Sequence, residues 1–141
     1  MATLYLSLGT NLGNRQKNIE TALALIDQRV GNVMAQSSII ETEPWGFESS
    51  NRFLNMTVKV LTELKPIEVL ETTQAIEREM GRTSKSDAGG YKDRIIDIDI
   101  LLYDDLVIDT PRLTIPHPHM YERRFVMEPL TEIAPHLNKN R

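Results

Sequence analysis

At 141 residues, 40% hydrophobic and 26% charged, the chain has the composition of one folded domain over residues 1–141 rather than of a disordered or fibrous protein. A net charge of -4 argues against a nucleic-acid partner, which selects a basic excess, so any bound anion must be met by local cations or a metal. The absence of cysteine excludes disulfides, thiolate zinc sites and cysteine nucleophiles, and no apolar run approaches the ~18 residues of a membrane span, so a cytoplasmic protein without a membrane partner is expected.

Leu4, Leu6 and Leu8 alternate with Thr3, Tyr5 and Ser7, the period of a half-buried strand. A turn-rich stretch, Gly9 to Asn14, leads into Ile19, Ala22, Leu23, Ile26 and Val30 at helical spacing, with Asn14 as the start signal and Gly31 as the stop. Val33 to Thr42 reads as a second strand, and Glu43 to Asn51, with its breakers and Trp45, as a loop. Leu54, Met56, Val58 and Val60 define a third strand. Pro66 opens a second helix carrying Ile67, Leu70, Ile76 and Met80, which stops at Gly81.

The polar stretch Arg82 to Arg94, containing Gly89-Gly90, reads as a loop. Ile95 to Tyr103 forms a fourth strand, which Asp104-Asp105 turns into Leu106-Val107-Ile108 as a hairpin. Pro111, Pro116 and Pro118 keep the next segment extended, and a short helix is expected from about Tyr121 to Glu128, before Pro129. The order is that of a ferredoxin-like α+β fold: a βαββαβ core, an antiparallel sheet with two helices on one face, plus an appended hairpin and short helix. No exposed apolar seam is evident, so a monomer is expected.

Within the fourth strand, Asp97 and Asp99 project to one face and Ile96, Ile98 and Ile100 to the other. Their Cα atoms lie ~6.6 Å apart, a spacing that lets two carboxylates converge on a pair of divalent ions clamping a phosphoryl group. Oxygen ligands suit magnesium or manganese. An acidic pair on an ordinary strand merely keeps an edge soluble. The flanking isoleucines and leucines instead read as a central, buried strand, where two like charges call for a cation.

Arg82, Lys85, Lys92 and Arg94 precede that strand and Arg112, Arg123 and Arg124 follow it, all candidate phosphate partners or plain solvated cations. His117 and His119 look like a metal pair, but no third ligand is placed; hydrogen bonding to phosphate suits His117 better. The turn from Gly9 to Asn14 matches no phosphate-loop fingerprint. Trp45, Phe53 and Phe125 are either core residues or stacking faces for a flat ligand. These residues leave three functions open: a metal-dependent phosphotransferase, a palm-like two-metal nucleotidyl transferase or cyclase on the same sheet, and a non-catalytic ligand-binding regulatory domain.

Ordered motifs through most of the chain resemble the 6-hydroxymethyl-7,8-dihydropterin pyrophosphokinase (HPPK) family. They include Ser7-Leu8-Gly9-Thr10-Asn11-Leu12-Gly13, Glu41-Thr42-Glu43-Pro44-Trp45-Gly46, Phe53-Leu54-Asn55, Gln74-Ala75-Ile76-Glu77 and Gly81-Arg82. Arg94-Ile95-Ile96-Asp97-Ile98-Asp99, Arg112-Leu113-Thr114-Ile115-Pro116-His117 and Arg123 to Leu130 continue the series.

The resemblance implies transfer of pyrophosphate from ATP to the pterin hydroxymethyl group, with release of AMP. It implies a pterin slot between Phe53 and Phe125, its polar edge read by Asn55 and the chain around Thr42, Glu43 and Trp45, with Asp97 close by. Asp97 and Asp99 would hold two magnesium ions on ATP. Gln74, Glu77 and Ile100 would lie at the nucleotide, Arg112 and Thr114 at its nucleoside side, and Arg82, Arg94, His117 and Arg123 at the phosphates, with Arg82 and Arg94 in catalytic roles. Loops near residues 9–14, 43–52 and 82–94 would close over the reactants. The chain departs from the pattern at Ser84, Phe53 and Pro118, where some members carry an arginine, a tyrosine and an aromatic, and with its tail stopping at Arg141 the extra C-terminal segment of longer members is expected to be absent.

Overall fold

Strand β1 (Ala2–Thr10) is the spine of the molecule. Strand β4 (Phe53–Thr62) pairs with one of its edges and β5 (Asp97–Tyr103) with the other, both antiparallel. The computed structural model describes residues 1–42, 52–81 and 95–140, so the expected loops over 43–51 and 82–94 lie outside the described residues. Strands β2 (Asn32–Gln36) and β3 (Ile40–Thr42) both line the far side of β4, which gives the order β2-β4-β1-β5 with β3 beside β2. This is the ferredoxin-like arrangement expected from the element order.

Helix α1 (Arg15–Arg29) starts where Asn14 predicts: its side chain accepts the Lys17 N–H at 3.1 Å. The chain turns at Gly31, where close approach demands glycine; a Cβ there would sit 2.1 Å from the Leu61 carbonyl oxygen. Helix α2 (Pro66–Glu79) has Pro66 in its first turn and ends before Gly81, whose φ of +110° is open to glycine at little cost.

Both helices cover one face of the sheet. Leu4, Leu6, Leu8, Val58, Val60, Ile98 and Ile100 meet Ile19, Ala22, Ile26, Val69 and Ile76 in the main core. Complete burial of each leucine contributes about 1.5–3 kcal/mol. Helix α3 (Arg124–Ile133) covers part of the opposite face, where Val126, Met127 and Leu130 pack with Tyr5, Leu101 and Met120.

Four expectations need correction. The second strand is broken after Gln36: the Ser37 N–H still donates to the Thr57 carbonyl, but Ser37 Oγ accepts the Thr57 N–H and donates to the Ser38 carbonyl, while Glu132 of α3 takes the Ser38 N–H and hydroxyl. The hairpin partner differs too. Strand β6 (Ile108–Asp109) pairs with β7 (Thr114–Ile115), not with β5. The last helix begins and ends later than expected and runs through Pro129, whose missing N–H costs one bond while its ring is buried.

Strand β5, finally, is an edge strand, not a central one. Its isoleucines are buried because α2 lies against them, and its open side is covered locally: Glu77 accepts the Ile98 N–H, and the Leu101 carbonyl accepts the His117 N–H. A bulge at Leu101, between the Tyr5–Leu102 and Leu6–Ile100 pairs, sends Leu101 into the second core.

Candidate active site

Antiparallel partners share a face of the sheet, so the register assembles the site. Gly9 of β1 stands opposite Asn55 on one side and Asp97 on the other; Ser7 stands opposite Thr57 and Asp99. Two parallel rows result, Asn55–Gly9–Asp97 and Thr57–Ser7–Asp99, both on the face away from α1 and α2. These rows form the floor of the site. Gly9 and Thr10, expected in a turn, are the last residues of β1, and the turn itself is pinned by Asn18, whose Nδ2 donates to Thr10 Oγ1 and the Leu12 carbonyl.

Asp97 and Asp99 are half-buried, close enough to the surface to meet a ligand. Among the described residues no group of three or more His, Cys, Asp or Glu could hold a metal. Two carboxylates form an oxygen site that fits magnesium, which ordinarily keeps waters and takes its remaining ligands from substrate phosphates.

Asn55 is buried and donates from Nδ2 to Thr42 Oγ1 at 2.7 Å, joining two residues expected at the pterin. Phe53, paired with Thr42, continues that side of the floor. Arg123 is buried where the chain enters α3, with its guanidinium carbon 5.7 Å from the centre of the Phe125 ring. His117 is half-buried within electrostatic reach of Arg123 and Asp97. Burial pushes its pKa down, Arg123 and His119 reinforce the shift, and Asp97 opposes it. The rings of His117 and His119 have centroids 6.5 Å apart, and His119 is exposed beside Glu122.

The expected nucleotide residues are more scattered. Gln74 is exposed on α2, and Glu77, one turn later, is buried with Oε2 2.7 Å from the Ile98 N–H. Ile100 is buried in the main core. Thr114 lies in β7, and Arg112 reaches Glu71 of α2 at 3.7 Å across solvent. Arg82, Arg94, Glu43 and Trp45 lie outside the described residues.

Two supports were not anticipated. Arg15 donates both to Glu41, at 2.9 Å, and to the Arg52 carbonyl, at 2.8 Å, bridging the two sides of the 43–51 segment. The Glu132 contact with Ser38 anchors the strand break leading to Thr42. Residue spacing carries no signal for either contact, because both join elements remote in sequence.

Fold and floor together define a ferredoxin-like α+β protein that presents two neighbouring carboxylates on an edge strand. A model of the 7,8-dihydro-6-hydroxymethylpterin-pyrophosphokinase (HPPK) family matches residues 5–135, and the chain belongs to that family.

A 2-amino-4-hydroxy-6-hydroxymethyldihydropteridine pyrophosphokinase from Porphyromonas gingivalis is 52% identical over 139 residues, covering 98% of this chain and 95% of the relative. The Bacillus subtilis protein of the same name is 46% identical over 136 residues, covering 96% and 80%. Among solved structures, a Plasmodium falciparum HPPK-DHPS aligns with a TM-score of 0.77 at 20% identity. That alignment covers 95% of this chain and 42% of the Plasmodium chain, and it supports the fold alone. Family membership selects the pyrophosphokinase reading over a nucleotidyl transferase or a regulatory domain, which the fold would equally allow.

Proposed function

We propose that the floor built from Asn55, Gly9, Asp97, Ser7 and Asp99 carries the family's reaction. In that reaction pyrophosphate passes from ATP to the hydroxymethyl group of 6-hydroxymethyl-7,8-dihydropterin and AMP leaves. The observation that carries the assignment is the register, in which Asn55 and Asp97 flank Gly9 on one face. A ligand read by Asn55 on β4 lies across β1 from the β5 carboxylates that would face the phosphates.

On the pterin side, the Asn55 amide, held by Thr42, reads the polar ring edge, and Phe53 and Phe125 supply the stacking faces. Glu43, Trp45 and Asp97 complete that side. On the phosphate side, Arg123 is held by burial and by the Phe125 ring, so its charge is positioned before ATP arrives. His117, kept neutral near pH 7 by its surroundings, donates or accepts a hydrogen bond without adding charge. Arg82 and Arg94 act as further phosphate cations with catalytic roles.

Gln74, Arg112 and Thr114 line the nucleoside side, and Ile100, whose side chain is buried in the main core, serves it through the β5 backbone. Glu77 serves the nucleotide by holding β5, as its bond to Ile98 supports. Two magnesium ions, held by Asp97 and Asp99, would neutralise and align the triphosphate. The new bond joins the hydroxymethyl oxygen to the β-phosphorus, and the bond from the β-phosphorus to the oxygen bridging it to the α-phosphate breaks. The chain works as a cytoplasmic monomer of one domain over residues 1–141, with small-molecule partners and neither nucleic acid nor membrane. No helix among the described residues is long and apolar enough to cross a membrane.

A product assay tests the reading. AMP should appear only when ATP, magnesium and the pterin are all present, and chelation should abolish it. Release of pyrophosphate in place of AMP would overturn the reaction, and AMP formation unchanged in Asp97→Ala or Asp99→Ala would overturn the site.

A further inference from the structure

Gly9 occupies the middle of the floor, in the strand that is central to the sheet. Glycine in a strand interior is unfavourable, since it adds backbone freedom to the unfolded chain and has no side chain to pack. Backbone geometry does not call for it here: the glycines with positive φ among the described residues are Gly13 and Gly81, and Gly9 is in ordinary ladder register on both edges.

The position calls for room instead. A Cβ on Gly9 would lie 3.2 Å from Asn55 Oδ1 and 3.6 Å from the Phe53 ring. The first contact is tighter than side chains normally tolerate, and Asn55 has little freedom to yield. It is buried, and its Nδ2 is already held by Thr42 Oγ1 at 2.7 Å. The carboxamide is thus seated between two neighbours: Thr42 holds one end, and the bare Cα of Gly9 leaves space for the other.

We propose that Gly9 is a specificity-determining positioning residue: its missing side chain seats the Asn55 carboxamide, and so sets the donor and acceptor pattern offered to the ring substrate. The inference rests on reading the Asn55 side of the floor as the pterin site. Gly9 acts through Asn55: although Asp97 stands across the ladder from it, the nearest atoms to its absent Cβ belong to Asn55, Phe53 and Leu54, all on the Asn55 side of the floor. Its replacement should therefore damage recognition of the ring and leave the nucleotide alone.

The test is a double-mutant cycle with Gly9→Ala, Asn55→Ala and the double variant, reading KM for the pterin, KM for magnesium-ATP and the thermal midpoint. Gly9→Ala should raise the pterin KM about tenfold and keep the ATP KM within about twofold, and the double variant should be no worse than Asn55→Ala alone. A normal pterin KM in Gly9→Ala, or losses that multiply in the double variant, would overturn the proposal. Should Gly9→Ala fail to fold, Thr42→Val removes the other hold on the amide; it must show the same pterin-selective loss, and an unchanged pterin KM would sink the idea. If Asn55→Ala itself binds the pterin normally, it is the site reading that fails and not only the role of Gly9.

Discussion

The Glu77 side chain accepts the Ile98 backbone N–H at 2.7 Å, so helix α2 grips the edge strand at the residue between its two aspartates. An edge strand would otherwise leave that N–H to water or to another chain. Glu77 is 4% exposed, and the contact is therefore sheltered.

Replacing Glu77 by alanine should cost about 1–3 kcal/mol of stability, because the Ile98 N–H loses its acceptor. It should also weaken magnesium-ATP binding by loosening the strand. Glu77→Gln retains an acceptor oxygen and should recover most of both. Denaturant unfolding and calorimetric titration with magnesium-ATP check this; an alanine variant matching wild type in both measurements would refute it.

Asp97→Asn and Asp99→Asn keep the shape of each side chain and remove its charge. Each should lower turnover by about 100-fold or more, as expected for loss of several kcal/mol of charge stabilisation, while thermal unfolding stays near wild type. Near-normal turnover at saturating magnesium in either variant would mean that the carboxylates only solvate the edge.

Phe125 carries Arg123 against its ring and packs beside the second core. If it also stacks on the pterin, Phe125→Ala should weaken pterin binding by roughly tenfold, the scale of one aromatic contact plus its lost burial. Phe125→Tyr should stay close to wild type. Separate titrations with pterin and with ATP decide the matter, and equal losses for both ligands would count against stacking.

His117 gives a pH signature with a defined sign. Its folded pKa lies below the ordinary 6.5, so between that value and the lowered one the unfolded chain binds the extra proton. Stability should therefore fall as pH drops through 6.5 and level off below the folded pKa. His117→Gln should flatten this slope in protein free of nucleotide and metal. Denaturant midpoints across the range give the answer; an unaltered slope would show that His117 is not the group responsible.

Glu132 receives the Ser38 N–H and hydroxyl from across the molecule. Glu132→Ala should cost about 1 kcal/mol, modest because the group is exposed. Protection of the β3 amides against hydrogen exchange should fall more than that of β1. Uniform loss of protection would argue that the contact stabilises the fold without anchoring the strand break.

Much of this protein is determined locally. The alternating leucines of β1, the Asn14 cap, Pro66 in the first turn and the glycine stops each express a rule that acts over a few residues, and those elements fall where the rules put them. Two aspartates two positions apart on a strand must share a face, so the carboxylate pair is legible in the sequence. The family motifs extended that legibility to the reaction.

Pairing and packing over long sequence separations decided the rest. Whether β5 was central or an edge depended on what lies beside it, and buried isoleucines read the same under a helix as inside a sheet. The strand break is held at Ser38 by Glu132, 94 positions away, and the hairpin partner of β6 depends on where β7 arrives. Spacing along the chain puts Asp97 and Asp99 on one face but does not select their neighbours. Only the register across β1 set Asp97 beside Gly9 and Asn55, because antiparallel pairing, unlike spacing along the chain, joins residues that the sequence keeps apart.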